Sequence, residues 1–268
     1  MEILQAILLG IIEGLTEFLP ISSTGHLLIA QEMIGYKDTA EIFTVVVQMG
    51  ALGSVLWYYR EDLTQKTTGL LKGDAQSVNF WKIWILATIP AGVAGFLIES
   101  KLSRLGTLPI IASALIIGGI IIWLIETYHK AKPSKIEPQL EKISIKQALQ
   151  IGLYQVLALV PGVSRSGSTI MGGVLSGLDR VTATAFSFYL SIPILFLAGM
   201  YKLIKGFGNI STISGGGMAL LTGTIASFIT AFIVIGWLLK YVSRHDFKIF
   251  AYYRIFLGGV ILIFLVIY

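Results

Sequence analysis

Apolar blocks at about 42–59, 83–99, 109–127, 181–201, 217–239 and 249–268 each approach the roughly 20 residues that a membrane span needs. Two stretches break this rhythm. Residues 3–19 are apolar with polar interruptions on one face, residues 27–35 form a short apolar piece, and Pro20 and Gly25 interrupt the path between them. Residues 148–160 and 170–178 repeat the arrangement around Pro161 and Gly162. None of these pieces comfortably crosses ~30 Å of hydrocarbon, so each pair predicts a re-entrant hairpin whose broken backbone is covered by protein or water. The predicted fold is all-α and polytopic. Residues 60–82 read as a polar loop.

Hairpin-plus-three-spans occurs twice. The first repeat covers 1–127 with its hairpin at about 3–35, and a linker at 128–146 carries Lys130, Lys132, Lys135, Lys142 and Lys146. The second repeat covers 147–268 with its hairpin at about 148–178. Gly10-Ile-Ile-Glu13 echoes in Gly152-Leu-Tyr-Gln155, and a serine stands three residues after both Pro20 and Pro161. A hairpin returns to its side of entry and three spans follow, so the second repeat is predicted to be inverted relative to the first. Loops at 60–82, 128–180 and 240–248 carry most of the Lys and Arg, which predicts that they are cytoplasmic and that both termini lie outside. Arg60, Lys72 and Arg104 read as such topology charges.

Composition sharpens the class. Of 268 residues 55% are hydrophobic and 13% charged, against roughly 25% charged in soluble domains. Mean hydropathy is +0.80. The net charge of +5 comes from scattered loop residues with no aromatic-interleaved patch, so no nucleic-acid partner is expected. The chain has no cysteine, which excludes disulfides, thiolate metal sites and cysteine nucleophiles. Met1–Gln5 lack a basic stretch, so no signal peptide is expected there. Walker, zinc-helix and dinucleotide motifs are absent.

The chemistry concentrates at the two breaks. Glu13-Gly-Leu-Thr-Glu17-Phe-Leu-Pro20-Ile-Ser22-Ser23-Thr24-Gly25-His26 places two carboxylates, a hydroxyl run and an imidazole inside a hydrocarbon-rich chain. Glu13 and Glu17 lie about 40° apart on one helix face. Ionisable groups in a membrane are costly, so a functional role outweighs a merely structural polar pair. Pro161-Gly162-Val163-Ser164-Arg165-Ser166-Gly167-Ser168-Thr169 sets one guanidinium among hydroxyls and glycines, a composition suited to phosphate oxygens. Helix capping is the competing role for Ser22, Ser23, Thr24, Ser164, Ser166 and Thr169.

Both motifs resemble those of the undecaprenyl-diphosphatase, or bacitracin-resistance, family, and the likeness extends over the whole chain, including Phe43–Gln48 and Tyr253-Arg254. The resemblance implies hydrolysis of a long-chain polyprenyl diphosphate to the monophosphate in the bacterial cytoplasmic membrane, recycling the carrier lipid of cell-wall synthesis. It also implies that bacitracin competes for the lipid rather than binding the protein. A homodimer is left open.

Within that frame, Glu17, Ser23, His26 and Arg165 are the catalytic candidates. Ser23 or a water attacks phosphorus, Glu17 and His26 assist, and Arg165 clamps phosphate; His26 as the nucleophile itself is a further alternative. Ser22, Thr24, Gly162, Ser164, Ser166, Gly167 and Thr169 are expected to bind substrate. Glu13 and Glu17 are expected to hold Mg²⁺ or Ca²⁺, or to act as proton carriers. Gln48 and Gln155 are expected to make interhelical hydrogen bonds. Inverted repeats also suit a transporter of polyprenyl phosphate, the rival reading.

Overall fold

The computed structural model describes residues 2–38, 41–102, 105–129, 137–206 and 215–267. Among these the regular structure is helical throughout, with no strand. Eleven α-helices follow in order. They are α1 (Glu2–Thr16), α2 (Ser23–Ile34), α3 (Ile42–Tyr58), α4 (Arg60–Leu71), α5 (Ala75–Leu102) and α6 (Leu108–Tyr128). The rest are α7 (Ile145–Val156), α8 (Arg165–Leu175), α9 (Arg180–Gly206), α10 (Gly216–Val242) and α11 (Lys248–Ile267).

Five of these, α5, α6, α9, α10 and α11, are long and apolar enough to cross a membrane. A sixth span results if α3 is counted with α4, which leaves it at a 69° bend. With 17 residues, α3 alone is about 26 Å long, close to the hydrocarbon thickness. The chain is a polytopic all-α membrane protein. Its lipid-facing surface is hydrocarbon: Phe96, Leu97, Ile233, Phe256 and Val266 are all exposed.

The stretch expected as a polar loop at 60–82 is instead α4 and the first turns of α5. Helix α4 has no buried residue, and local pairs hold it. Lys66 pairs with Asp62 one turn away, Thr64 and Thr67 hydroxyls donate to the carbonyls four residues back, and Tyr189 reaches from α9 to donate to Asp62. Asp74 opens α5 by accepting the Ser77 N–H at 2.8 Å, and that bond holds its carboxyl below the usual range. In the linker, Lys130, Lys132 and Lys135 fall outside the described residues. Leu140–Lys142 form a 3-10 turn, and a Ser144–Gln147 capping box starts α7 at Ile145.

The short helices α1 and α7 are wedged against long ones by glycine. A Cβ on Gly10 would lie 2.1 Å from the Gly223 carbonyl of α10, and one on Gly152 would lie 2.5 Å from the Ala87 carbonyl of α5. Only glycine permits this backbone contact, the usual way helices associate without a hydrophobic driving force. Each hairpin's leading helix thus rests on a long helix of the opposite half. The two breaks, 17–22 and 157–164, are thereby brought together in the interior.

Candidate active site

The break after α1 runs from Glu17 to Ser22, and Ser22 takes φ 72° before α2 begins at Ser23. The break after α7 passes a 3-10 turn at Leu157–Leu159, and Ser164 takes φ 76° before α8 begins at Arg165. A left-handed conformation costs a non-glycine residue roughly 1–2 kcal/mol, so two such serines at matching helix starts are imposed by the surrounding contacts. The match revises the spacing echo noted in the sequence. Ser22 corresponds to Ser164, the second break holds one more residue between its proline and that serine, and Ser23 and Arg165 occupy the same first helical position.

Those two residues converge on one carboxylate. Ser23 Oγ donates to Glu17 Oε2 at 2.5 Å, and Arg165 Nη2 donates to Glu17 Oε1 at 3.0 Å. Arg165 Nη1 donates to the Ser187 carbonyl at 2.9 Å, and its guanidinium lies 5.8 Å from the Phe18 ring centroid. Its Nε is buried without a partner, a donor still to be used. Glu17, Ser23 and Arg165 line a cavity of about 290 Å³, near the lower end for small-molecule sites. Ser22, Thr24, Gly162 and Ser164 line it too, and it extends along α9 to Lys202.

Other expected residues sit elsewhere. Ser166 Oγ donates to the Leu19 carbonyl at 2.6 Å, tying the two breaks together, and Thr169 Oγ1 donates to the Arg165 carbonyl at 2.9 Å. Gly167 N–H donates to Ser164 Oγ at 3.1 Å. None of the three lines the cavity. The structure gives them caps and cross-links where phosphate donors were expected, because a helix start consumes hydroxyls and N–H groups on itself.

Both ring nitrogens of His26 are engaged away from Ser23 Oγ, which donates to Glu17. Its Nδ1 lies 2.8 Å from the Ser22 carbonyl, so that nitrogen donates, and Nε2, at 2.7 Å, accepts from the Tyr253 hydroxyl. The rings of His26 and Tyr253 are nearly parallel, 6° apart. His26 therefore braces the strained Ser22 turn against α11.

Glu13 is fully buried behind Glu17, outside the cavity lining, and neither of its carboxylate oxygens has a hydrogen-bond partner. Among the described residues no group of three or more His, Cys, Asp or Glu forms a metal cage. Two neighbouring carboxylates, one with both oxygens unpartnered, still suit a hard cation that takes its other ligands from phosphate and water. Gln155 does not make the expected interhelical bond. It is 1% exposed, and neither its Oε1 nor its Nε2 has a partner.

Sequence reasoning gave no role to Arg254. Fully buried in α11, it uses all five donors on carbonyls. Nη1 donates to Pro20 and Val163 at 3.0 Å each, Nη2 to Gly162 at 3.0 Å and Ala114 at 3.1 Å, and Nε to Leu115 at 3.3 Å. One guanidinium therefore fastens both breaks to α6. The available signal was a lone arginine inside a terminal apolar block, opposite Gly118, where a Cβ would collide with it at 2.2 Å.

With this geometry in place, comparison with known proteins is decisive. The family described as "Bacitracin resistance protein BacA" matches residues 6–260. The chain belongs to that family. Undecaprenyl-diphosphatase 1 of Burkholderia ambifaria is 44% identical over 266 residues, covering 97% of this chain and 95% of that protein. Undecaprenyl-diphosphatase 2 of Shewanella oneidensis is 40% identical over 260 residues, covering 96% of each. The undecaprenyl-diphosphatase of Persephonella marina is 40% identical over 266 residues, covering 98% of this chain and 99% of that protein. The two breaks described above both fall within the family match.

Proposed function

We propose that this protein is an undecaprenyl-diphosphatase: a membrane hydrolase that converts undecaprenyl diphosphate to the monophosphate and inorganic phosphate. The observation that carries the reaction assignment to particular atoms is Glu17, held simultaneously by Ser23 and Arg165 beside a cavity inside the helix bundle. Family membership and the names of the relatives favour hydrolysis over lipid transport.

In the proposed mechanism Ser23 Oγ attacks the terminal phosphorus while Glu17 Oε2 takes its proton. The bond from that phosphorus to the bridging oxygen breaks, and the lipid monophosphate leaves. Water then attacks the phosphoserine, the P–Oγ bond breaks, and the Glu17 proton returns to Ser23. Arg165 presents its unpartnered Nε–H and remaining guanidinium hydrogens to the equatorial oxygens, where charge develops. Ser22, Thr24, Gly162 and Ser164 surround the head group. His26 keeps Ser22, and hence Ser23, in register through Tyr253.

Arg165 is neutralised by Glu17, so a diphosphate in the cavity beside Glu17 adds uncompensated negative charge. Glu13 and Glu17 would hold a Mg²⁺ or Ca²⁺ ion, which supplies that compensation. The apolar tail would lie between helices, open to lipid. The reciprocal contacts of α1 with α10 and α7 with α5 support the inverted-repeat reading, and the Lys and Arg distribution among the loops supports termini on the outer side of the cytoplasmic membrane. In that orientation the cavity extends toward the outer end of α9.

Phosphate release from undecaprenyl diphosphate by the detergent-solubilised protein tests the proposal. Release that disappears in Ser23→Ala and Arg165→Ala is expected. A folded wild-type protein that releases none would overturn it.

A further inference from the structure

Among the described residues that line the cavity, Gln155 is the one amide whose oxygen and nitrogen are both buried and unpartnered, and the residue is 1% exposed. It sits on the last turn of α7, just before the break that delivers Arg165. Three residues earlier, Gly152 locks α7 against the Ala87 carbonyl of α5, so the amide is held where it is. It lines the same cavity as Glu17, Ser23 and Arg165. Leaving a buried donor and acceptor unsatisfied is unfavourable, and native structures keep such groups mainly where something else completes them. A structural glutamine would bond to a neighbouring helix; this one does not.

We propose that Gln155 binds the diphosphate head group of the substrate. Its Nε2–H donates to a non-bridging phosphate oxygen, and its Oε1 accepts from a protonated phosphate oxygen. The inference rests on the hydrolase reading and extends it by one residue. A neutral amide is suited to this place. A carboxylate there would repel the head group and add to the charge of Glu13 and Glu17, whereas a second cation would compete with Arg165 for Glu17. The hydrogen bond from α7 also complements Ser23 at the start of α2 and Arg165 at the start of α8, so three elements hold the head group.

The test uses full-length protein and two measurements. The first is steady-state hydrolysis of undecaprenyl diphosphate with melting temperature measured in parallel. Gln155→Leu is expected to melt at or above the wild-type temperature, since it removes two unpaired polar atoms from the interior. Its KM is expected to rise about 10- to 100-fold, the range for a hydrogen bond to a charged group, with kcat changed less. Gln155→Glu is expected to lose more than Gln155→Leu. The second is equilibrium binding of undecaprenyl diphosphate to Ser23→Ala, alone and combined with Gln155→Leu, which reads affinity without turnover. A Kd weakened by the same 10- to 100-fold supports the proposal, and an unchanged Kd overturns it. A Gln155→Leu protein that melts well below wild type, or fails to fold, also overturns it, because the amide would then be structural. Absence of wild-type hydrolysis with normal Kd sensitivity at Gln155 would instead strike the hydrolase reading alone.

Discussion

Glu17 and Arg165 are 148 positions apart in sequence and form an ion pair of 3.0 Å across the interior, with side chains only 5% and 10% exposed. Burying such a pair is weakly stabilising at best, whereas removing one partner leaves an uncompensated charge. Ser23 shares the same carboxylate. Arg165→Ala should therefore lower turnover about 10²–10³-fold or more, and Arg165→Lys should lose most activity because it keeps charge without the fork. Because the three residues act on one step, Ser23→Ala with Arg165→Ala should be little worse than the poorer single variant. Phosphate release from undecaprenyl diphosphate measures all of these; a folded Arg165→Ala protein with normal turnover would place the chemistry within the first break alone.

The unpartnered Glu13 carboxylate leads to a second expectation. Excess chelator should reduce turnover at least ~10-fold, and added Mg²⁺ or Ca²⁺ should restore it, with Glu13→Gln abolishing the restoration. Full turnover in chelator would leave Glu13 and Glu17 as carriers of a shared proton.

Arg254 offers a third. Three of its five carbonyl partners, Pro20, Gly162 and Val163, lie in the breaks. Arg254→Leu strips a donor from each, at about 1–3 kcal/mol per buried group left unsatisfied. A clear fall in melting temperature is expected, together with loss of activity. Arg254→Lys, with three donors for five acceptors, should fall between. Thermal unfolding in detergent reads both, and an unperturbed Arg254→Leu protein would show that the breaks hold themselves.

Topology supplies the fourth. In this cysteine-free chain, single cysteines at Lys72 and Lys135 should label only from the cytoplasm, and one at Lys101 only from outside. Labelling of Lys72 and Lys101 from one face would remove the inverted arrangement.

Hydropathy by itself determined that this is a helical membrane protein, because ~20-residue apolar blocks have no other stable use. It also located the two breaks, where proline and glycine cluster with polar residues between apolar pieces too short to span, whereas Pro90 and Pro193 sit inside long apolar runs that stay helical. Residue chemistry picked out Glu17, Ser23 and Arg165, because carboxylates and guanidinium are too costly in hydrocarbon to be incidental. The tertiary structure decided the rest. Which hydroxyl meets Glu17, that Ser166 and Thr169 serve caps and cross-links, and that His26 faces Tyr253 all depend on rotations set by packing between distant helices. The helical run at 60–71 escaped a hydropathy reading because side-chain pairs, not an apolar face, hold it. For the same reason Arg254 drew no role from its sequence context, and Gln155 read as an interhelical polar contact. Only assembled backbone carbonyls give the first its purpose, and only a cavity gives the second its opening. Local sequence encodes cost and periodicity, whereas the partner of a buried polar atom is a property of the folded whole.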